Sequence, residues 1–78
     1  MTSLTTTWTA VFEQTEDGWY VGWIEELPGA ITQGQTLEEA RENLQEAVAM
    51  VLDARRELVA QEAQGHTVVR EPFVLVAA

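Results

Sequence analysis

The feature of this sequence that most constrains its fold is a long amphipathic pattern in the second half. Apolar residues recur every three or four positions from Leu37 to Leu58, which is typical of a helix with a single apolar face. Thr36 and Glu39 fit a capping box at its start, and Gly65 is a suitable stop, so we predict a helix that ends at about residue 63. An apolar stripe of this length has to be buried against another layer of structure.

Three short strands separated by turn signals are predicted before the helix. Residues 5–14 and 18–25 are rich in Thr, Val and aromatic side chains, which favour strands, and residues 30–33 form a shorter third candidate. Residues 15–18 contain an Asp-Gly pair, which is typical of a hairpin turn, and residues 26–29 contain a second turn, Leu-Pro-Gly.

A last strand is predicted after the helix at residues 73–76, with Val68 and Val69 as an earlier possible beginning. The predicted order is therefore β-β-β-α-β. This order indicates an α+β fold, a two-layer sandwich in which one long helix covers one face of a mainly antiparallel sheet. We expect residues 1–78 to form a single domain.

The predicted helix is longer than the predicted sheet. A helix of about 27 residues is about 40 Å long at 1.5 Å per residue. A strand of about 8 residues spans only roughly 26 Å. We therefore expect two or three turns of the helix, near residues 55–64, to overhang the sheet.

The composition leaves few ways to stabilise so small a domain. With 78 residues, the chain can bury only a modest core. It has no cysteine and one histidine, which excludes a disulfide and a thiolate zinc site, and we predict no metal and no cofactor. Small domains without such cross-links usually depend on another subunit, so we predict a homodimer or homotetramer, or a complex with a partner.

The charge of the chain limits the partners it can have. Its formal net charge is −9, with four basic residues, all arginine. Nucleic-acid backbones are bound through many Lys and Arg side chains, so direct nucleic-acid binding is not expected, whereas the charge suits either a basic protein partner or simply solubility. The sequence has neither a positively charged start followed by an apolar run nor the roughly 20 apolar residues that span a bilayer, so we predict a soluble, cytoplasmic protein without membrane contact.

The second strand is apolar on both faces. Alternation places Trp19 and Trp23 on one face and Tyr20 and Ile24 on the other, with Gly22 leaving a gap that a neighbour can approach closely. Because one helix covers only one face, we expect the other at an interface, and the sequence leaves open which face that is. The candidate interface aromatic residues are Trp8, Trp19, Tyr20 and Trp23.

Charged side chains of the helix are further candidates for partner contacts. Glu38, Glu42 and Glu46 stand four residues apart on one stripe, which fits either an acidic ridge for a basic partner or an ordinary solvated face. Arg55 and Arg56 have acidic neighbours, so they fit a local ion-pair cluster or a subunit contact better than a phosphate site.

No group of residues in the sequence points to catalysis. Asp17, Glu25 and Glu26 lie in predicted turns, where carboxylates are common. His66 follows the helix without a nucleophile or metal ligand nearby in the sequence, which is typical of an exposed loop histidine. We therefore predict a binding module and not an enzyme.

Residues 11–53 also carry several short motifs at fixed spacing. They are Asp-Gly at 17–18, Leu-Pro-Gly at 27–29, Thr-x-Gly-x-Thr-x-Glu-Glu-Ala at 32–40 and Asn-Leu-x-Glu-Ala at 43–47. This arrangement resembles the small HicB-like antitoxin family. It departs from the family pattern at Ala30, Gln35 and Glu25-Glu26, where members often have Cys, Asp and prolines.

The resemblance implies a partial double-stranded-RNA-binding-type fold and a role as an antitoxin that sequesters a small basic mRNA-cleaving toxin of the HicA type. About one strand's length of chain follows the predicted helix, so we do not expect the C-terminal DNA-binding domain of longer members, or promoter binding. The alternative is an orphan homo-oligomeric module of the same fold, regulatory or structural, with no toxin partner.

Overall fold

The computed structural model describes residues 8–73, which form three antiparallel strands and one long helix. The strands are β1 (Ala10–Gln14), β2 (Tyr20–Ile24) and β3 (Ile31–Gly34), and the helix is α1 (Leu37–Glu62). β2 lies between β1 and β3 in an open sheet. The predicted α+β class and the predicted order of these four elements are confirmed.

β2 is shorter than predicted because the turns on either side extend into its predicted range, whereas β3 has its predicted length and begins one residue later. Gly18 donates its N–H to the Thr15 carbonyl (3.0 Å), and Leu27 donates its N–H to the Ile24 carbonyl (3.3 Å). Gly18 has φ = +90°, a left-handed conformation that glycine adopts readily. The first three residues predicted for β1, 5–7, lie outside the described part of the chain.

The predicted fourth strand is not tested as a whole. Of its surest part, residues 73–76, only Phe73 lies within the described part of the chain. The earlier beginning at Val68 and Val69 is wrong for the described residues, because residues 67–73 form no strand. The single-domain assignment for residues 1–78 stays a prediction.

The helix begins and ends close to its predicted bounds. Thr36 is the N-cap, and its hydroxyl oxygen accepts a hydrogen bond from the Glu39 N–H at 3.0 Å, which is one half of the predicted capping box. At the other end Gly65 has φ = +80°, and the His66 N–H donates to the Ala63 carbonyl (2.9 Å). The two ends are therefore fixed by local chemistry that the sequence displays.

The core lies between the sheet and the first half of α1. The helix packs mainly against β3 and to a smaller extent against β2. The buried side chains of the core are Ile24, Leu27, Ala30, Ala40 and Leu44. Partly buried side chains that pack against this core are Phe12, Val48, Val51 and Leu52.

Two glycines on the helix side of the sheet leave room for close neighbours, one for a side chain of the same sheet and one for the helix backbone. A Cβ placed on Gly22 would lie 2.7 Å from the Phe12 ring, which confirms the predicted close neighbour. A Cβ placed on Gly34 would lie 2.5 Å from the backbone nitrogen of Ala40. The first turn of the helix therefore rests directly on the end of β3.

Side-chain and loop contacts also occupy the outer edge of β3. Asn43 of the helix donates its Nδ2 hydrogen to the Gln33 carbonyl at 2.9 Å, and the Ile31 N–H donates to the Gly29 carbonyl at 3.1 Å. The Ala30 carbonyl accepts a hydrogen bond from the Ile24 N–H of β2, so by alternation along β3 the backbone groups of Ile31 and Gln33 point away from β2. The helix and the preceding turn thus hold both of them.

The last part of α1 extends beyond the sheet, as predicted. A Cβ on Gly29, at the end of the sheet, would lie 3.8 Å from Val51 Cγ2, which marks where the sheet stops beneath the helix. We call residues 53–62 the helix overhang. Its apolar side chains Leu58 and Val59 are 55% and 50% exposed, whereas Leu44, over the sheet, is 4% exposed.

Candidate functional site

The sheet face that the helix leaves uncovered carries a row of apolar side chains. The strand register aligns Val11 of β1, Trp23 of β2 and Ile31 of β3 across the sheet. Their positions alternate with Ile24, which packs into the core, so all three lie on the opposite face. We call this face the open sheet face. Its residues are Val11, Glu13, Trp19, Val21, Trp23, Ile31 and Gln33.

An acidic border surrounds the apolar row. Glu13 pairs with Val21 in the register and so lies on the open sheet face, and Glu25 follows Trp23 at the same alternation. Trp19 and Val21 line a shallow depression of about 580 Å³ whose other lining residues are Thr15, Glu16, Asp17 and Gln33. The described residues before the helix include no Lys or Arg, so every charged side chain of this border is acidic.

The hairpin turn holds one of these border carboxylates in its charged form. The Thr15 hydroxyl donates a hydrogen bond to Asp17 Oδ1, and the Trp19 N–H donates to the same oxygen at 3.4 Å. These two hydrogen bonds, that of Thr15 first, hold the pKa of Asp17 below its ordinary value of 3.8. Asp17 is therefore ionised at every physiological pH.

A second tethered carboxylate fixes the start of β1 against the turn after β2. Glu26 Oε1 accepts a hydrogen bond from the Thr9 N–H at 2.8 Å. This bond to the backbone of Thr9 holds the pKa of Glu26 below its ordinary value of 4.5. Both lowered pKa values follow from hydrogen bonds that hold the backbone in place, one within the hairpin turn and one between the start of β1 and the turn after β2.

The four candidate aromatic residues are divided between the two sides of the sheet. Trp19 and Trp23 lie on the open sheet face, whereas Tyr20 alternates to the helix side. Trp8, 43% exposed, also lies on the helix side. There it lines a groove of about 420 Å³ between β1 and the helix, whose other lining residues are Ala10, Phe12, Ile24, Arg41, Leu44, Gln45 and Val48.

The candidate charged residues of the helix also separate into two groups. Glu38, Glu42 and Glu46 are exposed on the side of α1 that points away from the sheet. Arg55 lies on the overhang, on the side that faces the sheet layer. The expected local ion pair forms at Arg56, which lies 3.4 Å from Asp53 with both side chains largely exposed, a geometry that contributes little to stability.

Sequence reasoning missed two members of the open sheet face. Ile31, 61% exposed, and Val11 complete the apolar row around Trp23. The strand register would have identified them, because antiparallel pairing through the two predicted turns aligns these three positions.

The described part of the chain contains neither a metal-binding cluster nor a membrane-spanning helix. Within residues 8–73 no three His, Asp or Glu side chains come together in a way that would hold a metal ion. The helix over residues 37–62 is not apolar enough to cross a membrane.

Comparison with known proteins identifies relatives over the sheet and most of the helix. The sequence profile of a family described as UPF0150-like matches residues 6–58, which is more than half of the chain. A UPF0150 protein of Synechocystis sp. is 41% identical over 49 residues, 63% of this chain and 68% of the relative. A UPF0150 protein of Archaeoglobus fulgidus is 39% identical over 46 residues, 59% of this chain and 67% of the relative. One of Thermoplasma acidophilum is 38% identical over 47 residues, 60% of this chain and 68% of the relative. No solved structure matches the chain significantly.

Proposed function

Because this chain belongs to the UPF0150 family, we propose that it is a binding module of the HicB-like antitoxin type, which sequesters a small basic mRNA-cleaving toxin of the HicA type. In this proposal the protein carries out no reaction of its own. It acts by covering the toxin's surface.

The observation that carries the proposal is the open sheet face. Stable protein interfaces combine an apolar centre, often aromatic, with a polar rim that remains accessible to water. The row of Val11, Trp23 and Ile31 supplies such a centre, and Glu13 and Asp17 belong to its rim. An apolar centre with an acidic rim suits a basic protein surface.

The distribution of charge supports the same partner. All four arginines of the chain, Arg41, Arg55, Arg56 and Arg70, lie on the helix or after it, while the chain as a whole carries a formal charge of −9. The charged side chains that a basic protein meets on the open sheet face are therefore all negative. Such complementarity speeds association and weakens as salt concentration rises.

The proposal is tested by co-expression with a small basic reading frame from the same operon. We expect the two proteins to co-purify, the isolated partner to cleave mRNA, and this chain to inhibit the cleavage stoichiometrically. Trp23→Ala should weaken inhibition at least tenfold, because a central aromatic anchor contributes about 2 kcal/mol or more. Met50→Ala removes an exposed apolar side chain from the helix and should leave inhibition unchanged.

Two results would contradict the proposal. One is a partner whose nuclease activity persists in the presence of excess wild-type protein. The other is equal inhibition by the Trp23→Ala and Met50→Ala variants, which would remove the open sheet face from the interaction.

The alternative function is an orphan homo-oligomeric module without a toxin. The exposed apolar side chains of the helix overhang favour self-association whether or not a toxin exists. An operon without any short basic reading frame, together with a purified protein that only self-associates, would support this alternative.

A further inference from the structure

The apolar stripe of α1 continues past the end of the sheet, where no other part of residues 8–73 covers it. Residues on this stripe follow the helical repeat from Leu44 through Val48 and Val51 to Leu58 and Val59. The first three pack at or against the core, whereas the last two are 55% and 50% exposed. A notch therefore lies beneath the overhang, bounded at one end by the Gly29 turn.

Two charges of opposite sign lie on this same stripe. Arg55 precedes Leu58 by three residues and Glu62 follows it by four, so all three share one side of the helix. Neither Arg55 nor Glu62 forms an ion pair with any residue of the described chain, in contrast to Arg56, which pairs with Asp53. The stripe thus has an apolar centre with a positive end and a negative end.

We propose that a second copy of this chain occupies the notch, with the two helix overhangs packed antiparallel about a twofold axis near Leu58 and Val59. In an antiparallel pair centred there, Arg55 of one copy lies opposite Glu62 of the other, and the twofold axis forms this ion pair twice. A parallel pair would place like charges together. The charges therefore select the antiparallel orientation, in the way that polar side chains within an apolar seam fix helix orientation.

The distance between the end of the sheet and the end of the helix agrees with this antiparallel arrangement. The sheet ends beneath Val51, and the helix ends at Glu62, eleven residues later, which is about 16 Å at 1.5 Å per residue. In the antiparallel pair, the end of one helix lies opposite Arg55 of the other, just before the partner's sheet begins. The two sheets therefore lie at opposite ends of the antiparallel pair, one beyond each overhang.

The same arrangement leaves the open sheet face free. The overhang lies at one end of the helix, and the open sheet face lies on the far side of the sheet from the helix. Self-association by this route therefore does not compete with a partner on the sheet. The inference goes beyond the proposed toxin binding and does not rest on it, so the purified full chain is sufficient for the test.

The test is charge reversal followed by analytical ultracentrifugation over a concentration series. We expect concentration-dependent dimers of the wild-type protein, and a dimer dissociation constant raised at least tenfold by Arg55→Glu or by Glu62→Arg, because each change creates two like-charge contacts. The double variant R55E/E62R exchanges the charges and should restore the dissociation constant to within about threefold of wild type.

The matched control is Arg56→Glu, which makes the same charge change one residue away, on the side of the helix that points away from the sheet. It should leave the dimer dissociation constant within about threefold of wild type. Circular dichroism establishes that all variants are folded. A wild-type protein that is monomeric at millimolar concentration would overturn the proposal, as would a double variant no better than the single ones, or an Arg56→Glu variant as weak as Arg55→Glu.

Discussion

Substitution of Gly34 by alanine should destabilise the protein through a collision between two backbones. The added Cβ would lie 2.5 Å from the Ala40 nitrogen and 3.0 Å from the Ala40 Cα. Ordinary contacts of this kind begin near 3.4 Å, so the first turn of the helix has to move by about 1 Å. No side-chain rotation can relieve the contact, because the atoms it meets belong to the helix backbone.

The change in the free energy of unfolding is the sum of a packing cost in the folded protein and a gain from the less flexible unfolded chain. Forcing an extra methyl group into a packed layer costs about 1–3 kcal/mol. Replacing glycine by alanine returns about 0.4–1 kcal/mol through the unfolded chain. Because the contact is with the helix backbone, the cost lies in the upper part of that range, and we expect a net loss of about 1–2.5 kcal/mol. A domain of this size has a total stability of about 4–12 kcal/mol, so the loss is a measurable fraction.

The measurement is urea unfolding followed by tryptophan fluorescence and circular dichroism at low protein concentration. Gly22→Ala is the matched comparison, because its Cβ meets only the Phe12 ring, at 2.7 Å. A second change, Phe12→Leu, should relieve the contact at Gly22 and leave the Gly34→Ala loss unchanged. A Gly34→Ala protein within about 0.5 kcal/mol of wild type would refute the reasoning, since a rigid contact at this distance cannot cost so little.

Three further predictions concern the core, the helix start and the hairpin turn. Leu44→Ala should lower the free energy of unfolding by about 2–5 kcal/mol in urea titrations, because the side chain is buried in the core. Thr36→Ala should lower it by about 1 kcal/mol, because the hydrogen bond to the Glu39 N–H is lost, whereas Thr36→Ser should cost little. The lowered pKa of Asp17 gives stability that is fully present above its ordinary value of 3.8 and is lost as the pH falls through the lower folded value. Asp17→Asn should therefore weaken the dependence of stability on pH below about pH 4, and an unchanged acid profile would show that the bond from Thr15 contributes nothing.

The local signals of the sequence predicted the turns and the helix ends closely. Asp17-Gly18, Thr36 and Gly65 each act on backbone groups within a few residues, so their effect does not depend on the rest of the fold. The lengths of β1 and β2 were overestimated, because a strand ends where its partner strand turns away. Residues 8 and 9 satisfy strand preferences, but β2 ends at Ile24, opposite Ala10.

The sequence predicted which residues share a face of the sheet but not which face the helix covers. Trp23 and Ile24 are both suitable for a core, so hydrophobicity alone does not distinguish the two faces. Gly22 and Gly34 indicate which face the helix covers. Gly22 and Gly34 lie on the helix side, where the Phe12 ring and the helix backbone need the space that a Cβ would take. The overhang, in contrast, followed from lengths alone and was predicted correctly.

The contacts along β3 determine how this protein can aggregate. A sheet grows into a fibre only if strands can be added at both of its edges, copy after copy. The carbonyl of Gln33 and the N–H of Ile31, which point outward from β3, are already bonded to Asn43 and Gly29. A strand added at the β3 edge would have to displace both of these hydrogen bonds. The asparagine on the helix and the Gly29 turn thus disfavour edge-to-edge assembly at β3, which helps to protect a small domain with an exposed apolar sheet face.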